Sequence, residues 1–143
     1  MEGREGMTPF HLKIVTPDGV QFDGQAEELI VRTTTGDIGI LAGHTNCVAP
    51  LGMGRAMILT DGQRRYAACI GGILSVMGGE VNLVPTTFEW AQDIDTKRAQ
   101  LAIQRAQAIL ADKSRSATDL RIAEAKLKRA LLRSSVAGAY NQR

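Results

Sequence analysis

Four arginines in the last third of the chain are spaced to act together. Arg98 and Arg105 stand seven residues apart in "IDTKRAQLAIQRAQ", and Arg129 and Arg133 stand four apart in "AKLKRALLRSS". Both spacings put a pair on one face of an α-helix. A guanidinium donates in a planar fork that suits a phosphate, and each charge-assisted hydrogen bond contributes about 1.5–3 kcal/mol. If two such helices fold back on each other, the four charges converge and repel unless an anion lies between them. A triphosphate, with several charges and many acceptor oxygens, meets that need. The bland alternative is a solvated helix face.

Other residues promise less. His44 and Cys47 in "GHTNC" could form a base and nucleophile, but the sequence supplies no orienting group or oxyanion hole, so the chain reads as no enzyme. His11 and His44 have no ligand spacing for a metal. The run "TTTGDIGILAG" lacks the Lys-Ser/Thr of a phosphate loop, and its glycines at 36, 39 and 43 suit a turn or bulge. It reads as a loop exposing Ile38 and Ile40 beside Asp37 for protein contact. Seventeen Lys and Arg against fifteen Asp and Glu is nearly neutral, unlike a general nucleic-acid binder. Cys47 and Cys69 sit in apolar runs and read as buried free thiols, a disulfide being the alternative. No stretch reaches the roughly 20 apolar residues of a membrane span, and "MEGREGMTPF" has no signal-peptide core. Met7 is an alternative start, and residues 1–7 read as a disordered N-terminal extension.

These residues need elements to position them. Before Trp90 lie short runs rich in Val, Ile, Leu and Thr, among them "FHLKIVT", "AEELIVRTT", "GRAMILT", "RRYAACI", "GGILSV" and "EVNLVPT". Turn signals at Pro17-Asp18-Gly19, Thr35-Gly36-Asp37, Asp61-Gly62 and Gly78-Gly79 separate them. This predicts an antiparallel β-sandwich of about ten short strands over residues 8–91. Asp61-Gly62 is the strongest hairpin signal, since it accepts the positive φ of a two-residue turn. "RAMILT" is apolar on both faces, as a strand inside a sandwich should be.

After Trp90 the only glycine is Gly138. "IDTKRAQLAIQRAQAILADK" reads as one helix with a stripe of Ala99, Ala102, Ile103, Ala106 and Ile109 or Leu110. "KSRSATD" breaks it, with Ser116 or Thr118 as the next N-cap. A second stripe follows at Leu120, Ala123, Leu127, Ala130, Ser134 and Ala137. The fold class is therefore α+β: a sandwich, then an antiparallel two-helix hairpin over residues 92–143. The seam is mostly alanine and buries little area, which reads either as a thin surface appendage or as a hairpin that can open. Closed, it is roughly 30 Å long, and as one continuous helix it would reach about 65 Å.

From Phe10 to about Val136 the chain resembles the epsilon-subunit family of F-type ATP synthases. The resemblance rests on "FHLKIVTPDGVQFDGQAEELIV", "GDIGILAGHTN" and "IGGILSVMGGEVNLV". Ala42, where the family often has proline, and "HTN", where "HAP" is commoner, depart from it. The resemblance implies a non-catalytic central-stalk subunit, on the F1 side of an energy-transducing membrane (cytoplasmic in bacteria). It would touch that membrane only through the complex. The sandwich would bind the gamma subunit and the c-ring, with Gly36, Asp37, Ile38 and His44 in or near the contact. The hairpin would be regulatory, inhibiting ATP hydrolysis when extended. "IDTKRA" matches the motif of family members that bind ATP in the folded state. That implies a site of Glu89, Ile94, Asp95, Arg98, Ala99, Arg105, Arg129 and Arg133, with Lys128 competing with Arg129. Whether Mg²⁺ accompanies the nucleotide stays open. In the extended state Lys126, Lys128, Arg129 and Arg133 would face acidic segments of the alpha and beta catalytic subunits. The other reading is a stand-alone nucleotide sensor without a rotor partner.

Overall fold

The computed structural model describes residues 7–141, so residues 1–6 of the expected N-terminal extension lie outside the described residues. The chain forms two compact units that divide between Trp90 and Ala91.

The first unit holds eight strands: β1 (Phe10–Thr16), β2 (Gly19–Ala26), β3 (Glu28–Thr33), β4 (Gly36–Ile40), β5 (Cys47–Pro50), β6 (Met53–Thr60), β7 (Gln63–Met77) and β8 (Glu80–Trp90). Period-2 alternation sets the inward faces. In β1, Phe10, Leu12, Ile14 and Thr16 are buried, and in β3 Leu29, Val31 and Thr33 are. β6 buries Ala56, Met57, Ile58 and Leu59 in succession, as its two-sided apolar pattern predicts. The ladder runs β2-β1-β8-β7-β6-β3-β4, with β5 also pairing β7.

Eight strands appear where about ten were expected, because "RRYAACI" and "GGILSV" form one fifteen-residue strand, β7. Its first half pairs β6 and its second half pairs β5, while β8 follows along its length. The change of partner falls at Gly71 and Gly72, with φ +67° and +101°. Those conformations favour glycine. There Gly71 N–H donates to the Gly52 carbonyl (3.0 Å) and Leu51 N–H donates to that of Gly72 (2.8 Å). The kink turns one ladder into two layers over a single core that includes Leu12, Leu29, Ile40, Ile58, Leu74 and Leu83. The other difference is the β1–β8 pair, which is parallel (Leu12 opposite Val81, Ile14 opposite Leu83) within an otherwise antiparallel sandwich.

The second unit opens on a short 3₁₀ turn (Ala91–Asp93), followed by α1 (Thr96–Ala111) and α2 (Ala117–Asn141). Asp95 caps α1, its carboxylate accepting from Arg98 N–H at 3.0 Å. Asp112 closes it and ties the turn, accepting from Ser114 N–H (3.0 Å), Ser114 Oγ–H (2.6 Å) and Arg115 Nε–H (3.2 Å). Those bonds hold the Asp112 carboxyl below the usual carboxylate range. Of the two expected caps for α2 it is Ser116 that serves, accepting from Asp119 N–H at 3.0 Å. The buried positions of α1 are Ala99, Ile103 and Ala106, and α2 buries Ala123, Ala130, Val136 and Ala137. The seam is as alanine-rich as the sequence predicts. Gln100 Nε2–H crosses it to Ser134 Oγ at 3.1 Å.

Candidate functional site

Helical spacing decides which side chains of the hairpin face one another. A cleft of about 470 Å³ runs between α1 and α2. Its floor is apolar, with Ala102, Ala106, Ile109, Ala123 and Ala130, and its rim is Arg98, Arg105, Lys126, Arg129 and Arg133. No lining residue is acidic. That volume lies in the ordinary range of small-molecule sites. The four arginines singled out by spacing are thus gathered round one opening. Arg98, Arg105 and Arg129 are exposed and Arg133 is half-buried.

The rest of the expected nucleotide set is placed differently. Ala99 is fully buried in the seam, and Ile94 is buried just ahead of the α1 cap. Asp95 spends a carboxylate oxygen on the Arg98 backbone and does not line the cleft. Glu89 belongs to β8 of the first unit, in register with Ala68.

A second region of interest is β4. Thr33 Oγ1–H donates to the Gly36 carbonyl (2.7 Å) and accepts from Thr35 N–H (3.2 Å), which fixes the turn ahead of it. Gly36 takes φ +129°. Asp37 then lies opposite Arg32 and accepts from its Nε–H at 2.7 Å. Room for that arginine comes from Gly54, where a Cβ would fall 2.6 Å from the Cβ of Arg32. The expected exposed loop is instead an edge strand. Ile40 is fully buried and Ile38 packs against the core, because alternation turns both inward and leaves Asp37 and Gly39 outside. His44 is half-buried, and its Nδ1–H donates to the Thr45 carbonyl at 2.8 Å, which occupies the nitrogen nearest its own backbone. Cys47 and Cys69 are both free thiols. Cys47 is only half-buried, whereas burial pushes the Cys69 thiol up to about 12.

On the outer face of the sandwich, Val48 of β5, Ile73 of β7 and Val84 of β8 are 64%, 49% and 47% exposed. Ile73 and Val84 are directly opposed, and Pro50 lies opposite Ile73. An apolar row across neighbouring strands is the signature of a protein contact. Among the described residues, no helix is long and apolar enough to cross a membrane, and no three His, Cys, Asp or Glu side chains gather as metal ligands.

The family model for the beta-sandwich domain of the ATP synthase delta/epsilon chain matches residues 9–91, and that for its long alpha-helix domain matches residues 92–138. The chain belongs to the ATP synthase epsilon family. Relatives of this chain carry the name "ATP synthase epsilon chain". That of Caldanaerobacter subterraneus subsp. tengcongensis is 40% identical over 134 residues, 93% of this chain and 96% of the relative. That of Bacillus velezensis is 42% identical over 132 residues, 92% and 99% respectively. The fold also matches a chain of the Euglena gracilis mitochondrial ATP synthase, with a TM-score of 0.78 and 21% identity over 89% of this chain and 80% of that one. A chain of the Tetrahymena thermophila central stalk and c-ring matches at a TM-score of 0.56 and 11% identity, over 92% and 98%.

Within this epsilon-family chain the two residues that compete by spacing, Lys128 and Arg129, are placed apart. Arg129 lines the cleft and Lys128 does not; Lys128 Nζ lies 3.9 Å from Glu124 Oε1, away from the lining. The cleft lining also includes Lys126, which the motif does not contain. The signal was present: Lys126 and Arg133 are seven apart, the same interval as Arg98 and Arg105.

Proposed function

We propose that this epsilon-family chain is a non-catalytic rotor-side subunit of the F1 central stalk, whose hairpin is a latch held closed by ATP. The observation that carries the latch is the cleft: among the lining residues, five cations and no carboxylate ring an opening over a mostly alanine seam. Two like charges 4 Å apart repel by about 1 kcal/mol in water and several times more near a protein surface. A polyanion reverses the sign of that contribution and adds charge-assisted hydrogen bonds. Since a ligand shifts an equilibrium only by its differential affinity, a site that needs both helices side by side selects the closed state. Mg²⁺, if it accompanies the nucleotide, would be held by the phosphates, because the cleft offers it no carboxylate.

The remaining parts of the reading follow from surface chemistry. The apolar row of Val48, Ile73 and Val84 supports docking on the gamma subunit. The β4 edge, with Gly36, Asp37, Ile38 and the nearby His44, is the face offered to the c-ring. Such a subunit is peripheral, on the F1 side of the membrane (cytoplasmic in bacteria), and meets the bilayer only through the complex. When the hairpin opens, Lys126, Lys128, Arg129 and Arg133 are presented to acidic segments of the alpha and beta subunits, and hydrolysis is blocked.

Calorimetric titration of ATP into the full chain, beside an Arg98→Ala variant, tests the latch. Saturable binding that weakens at least about ten-fold in the variant is expected. No binding up to millimolar ATP would remove the nucleotide from the mechanism.

A further inference from the structure

We infer that Lys126 is a fifth anion-binding residue of the hairpin cleft, engaged by the same polyphosphate as the four arginines. The inference rests on the nucleotide reading above and extends it, since Lys126 has so far figured only as a cation for the opened state.

Three observations place it there. Lys126, Arg129 and Arg133 follow one another at intervals of three and four along α2, which puts them on one helical stripe. All three line the cleft, opposite Arg98 and Arg105 of α1. Neighbouring lysines behave otherwise. Lys128 lies near Glu124 on the same helix, at 3.9 Å, and Lys97 and Lys113 are exposed without lining the cleft.

The chemistry of the two cation types divides their work. Arginine forks fix the orientation of phosphate oxygens, whereas an ammonium on a four-carbon stem is a compact, mobile point charge that follows the most negative group. Lys126 shares the cleft with an apolar lining of Ala102, Ala106, Ile109, Ala123 and Ala130. Apolar walls exclude water and strengthen whatever charge pairing forms beside them. Lys126 therefore adds affinity that grows with the negative charge of the ligand, and it adds little geometric selectivity. The same engagement removes Lys126 from the set of cations that the opened hairpin would present, so binding an anion and presenting a basic stripe to a partner exclude one another at this side chain.

The test is calorimetric titration of ATP and of inorganic tripolyphosphate into the full chain and into Lys126→Gln, Lys126→Arg and Lys97→Gln variants, with helicity checked by circular dichroism. Lys97→Gln removes an equal charge from α1 outside the cleft. The expected result is a loss of roughly ten-fold in Lys126→Gln for both ligands, near-parental affinity in Lys126→Arg, and less than about two-fold change in Lys97→Gln. If Lys126→Gln binds like Lys97→Gln while Arg98→Ala abolishes binding, the inference is overturned and the nucleotide reading stands. If the parent chain binds neither ligand, both are overturned.

Discussion

His11 joins three strands through one ring. From β1 its Nδ1 reaches Glu80 of β8 at 2.5 Å, and its Nε2 reaches Asp23 of β2 at 2.6 Å. Only the protonated imidazole can donate from both nitrogens at once. The hydrogen bond to Asp23 first, and then that to Glu80, raise the His11 pKa. The same contact with His11 lowers that of Asp23, which also lies beside Lys13. A raised histidine stabilises fully below its unfolded value of about 6.5, and that stabilisation is lost as pH rises through the folded value. A lowered carboxylate stabilises above its unfolded value of about 3.9, and that contribution is lost as pH falls through the folded one. The clamp is therefore complete between roughly pH 4 and 6.5. Replacing His11→Gln should lower the melting midpoint by about 2 °C at pH 5.5, with the gap closing by pH 9. Melting curves at the two pH values check it, and an equal gap at both would show that the ring acts only by packing. This clamp was invisible in the sequence, where His11 prompted only a metal question. Asp23, 12 residues away, meets it across the antiparallel β1–β2 pair, but Glu80, 69 residues away, meets it only through the parallel β1–β8 pairing, which no local pattern encodes.

Elements were legible where a local rule governs them. Asp61-Gly62 is a two-residue turn with φ of 51° and 74°, and Gly78-Gly79 is another with 57° and 85°. The alanine stripes were equally plain, and the cap of α2 was narrowed to Ser116 or Thr118, since each depends on residues within one helical turn. The corner in β7 was not, because "IGG" between apolar runs reads as a break, and only the pairing with β8 shows the strand continuing through it. That corner has a sharp dependence on its second glycine. A Cβ at Gly72 would sit 2.1 Å from the Val84 carbonyl oxygen and 2.7 Å from Pro85 Cα, both backbone atoms. At Gly71 it would meet Thr86 Oγ1 at 3.1 Å, a side chain that can turn aside. Both positions carry the cost of a positive φ, about 1–3 kcal/mol. Gly72→Ala adds a clash that only backbone movement relieves, so its loss should exceed about 4 kcal/mol and leave the chain largely unfolded. Urea denaturation of the two variants checks the order. Equal midpoints would mean that the corner yields freely, and that the change of partner in β7 does not depend on Gly72.

At the scale of the whole chain, the division after Trp90 separates two kinds of stability. The first unit closes a core of large aliphatic side chains under a continuous ladder, and its end is secured by its own residues: Phe88 meets Trp90 edge-on at 4.9 Å, and the Arg65 guanidinium stacks 3.8 Å over the Trp90 ring. The second unit closes a seam of alanines crowned by cations. Apolar burial scales with area at about 25 cal/mol per Å², so the seam is the weaker of the two and the natural place for a switch. The cleft cations were legible because helical spacing is local. Which helix face they share with the seam was not, and that choice admitted Lys126 and excluded Lys128. On the reading proposed above, ending the chain after Ala91 removes the latch and keeps the docking faces. Complexes assembled with such a chain should then hold together and hydrolyse ATP at least about two-fold faster, since no hairpin remains to block rotation. Hydrolysis rates measured on purified complexes, with the stalk subunits quantified in each, decide the matter. Failure of the shortened chain to assemble would place part of the docking surface in the hairpin, whereas full assembly with an unchanged rate would deny the hairpin its inhibitory role and leave the cleft as a binding site alone.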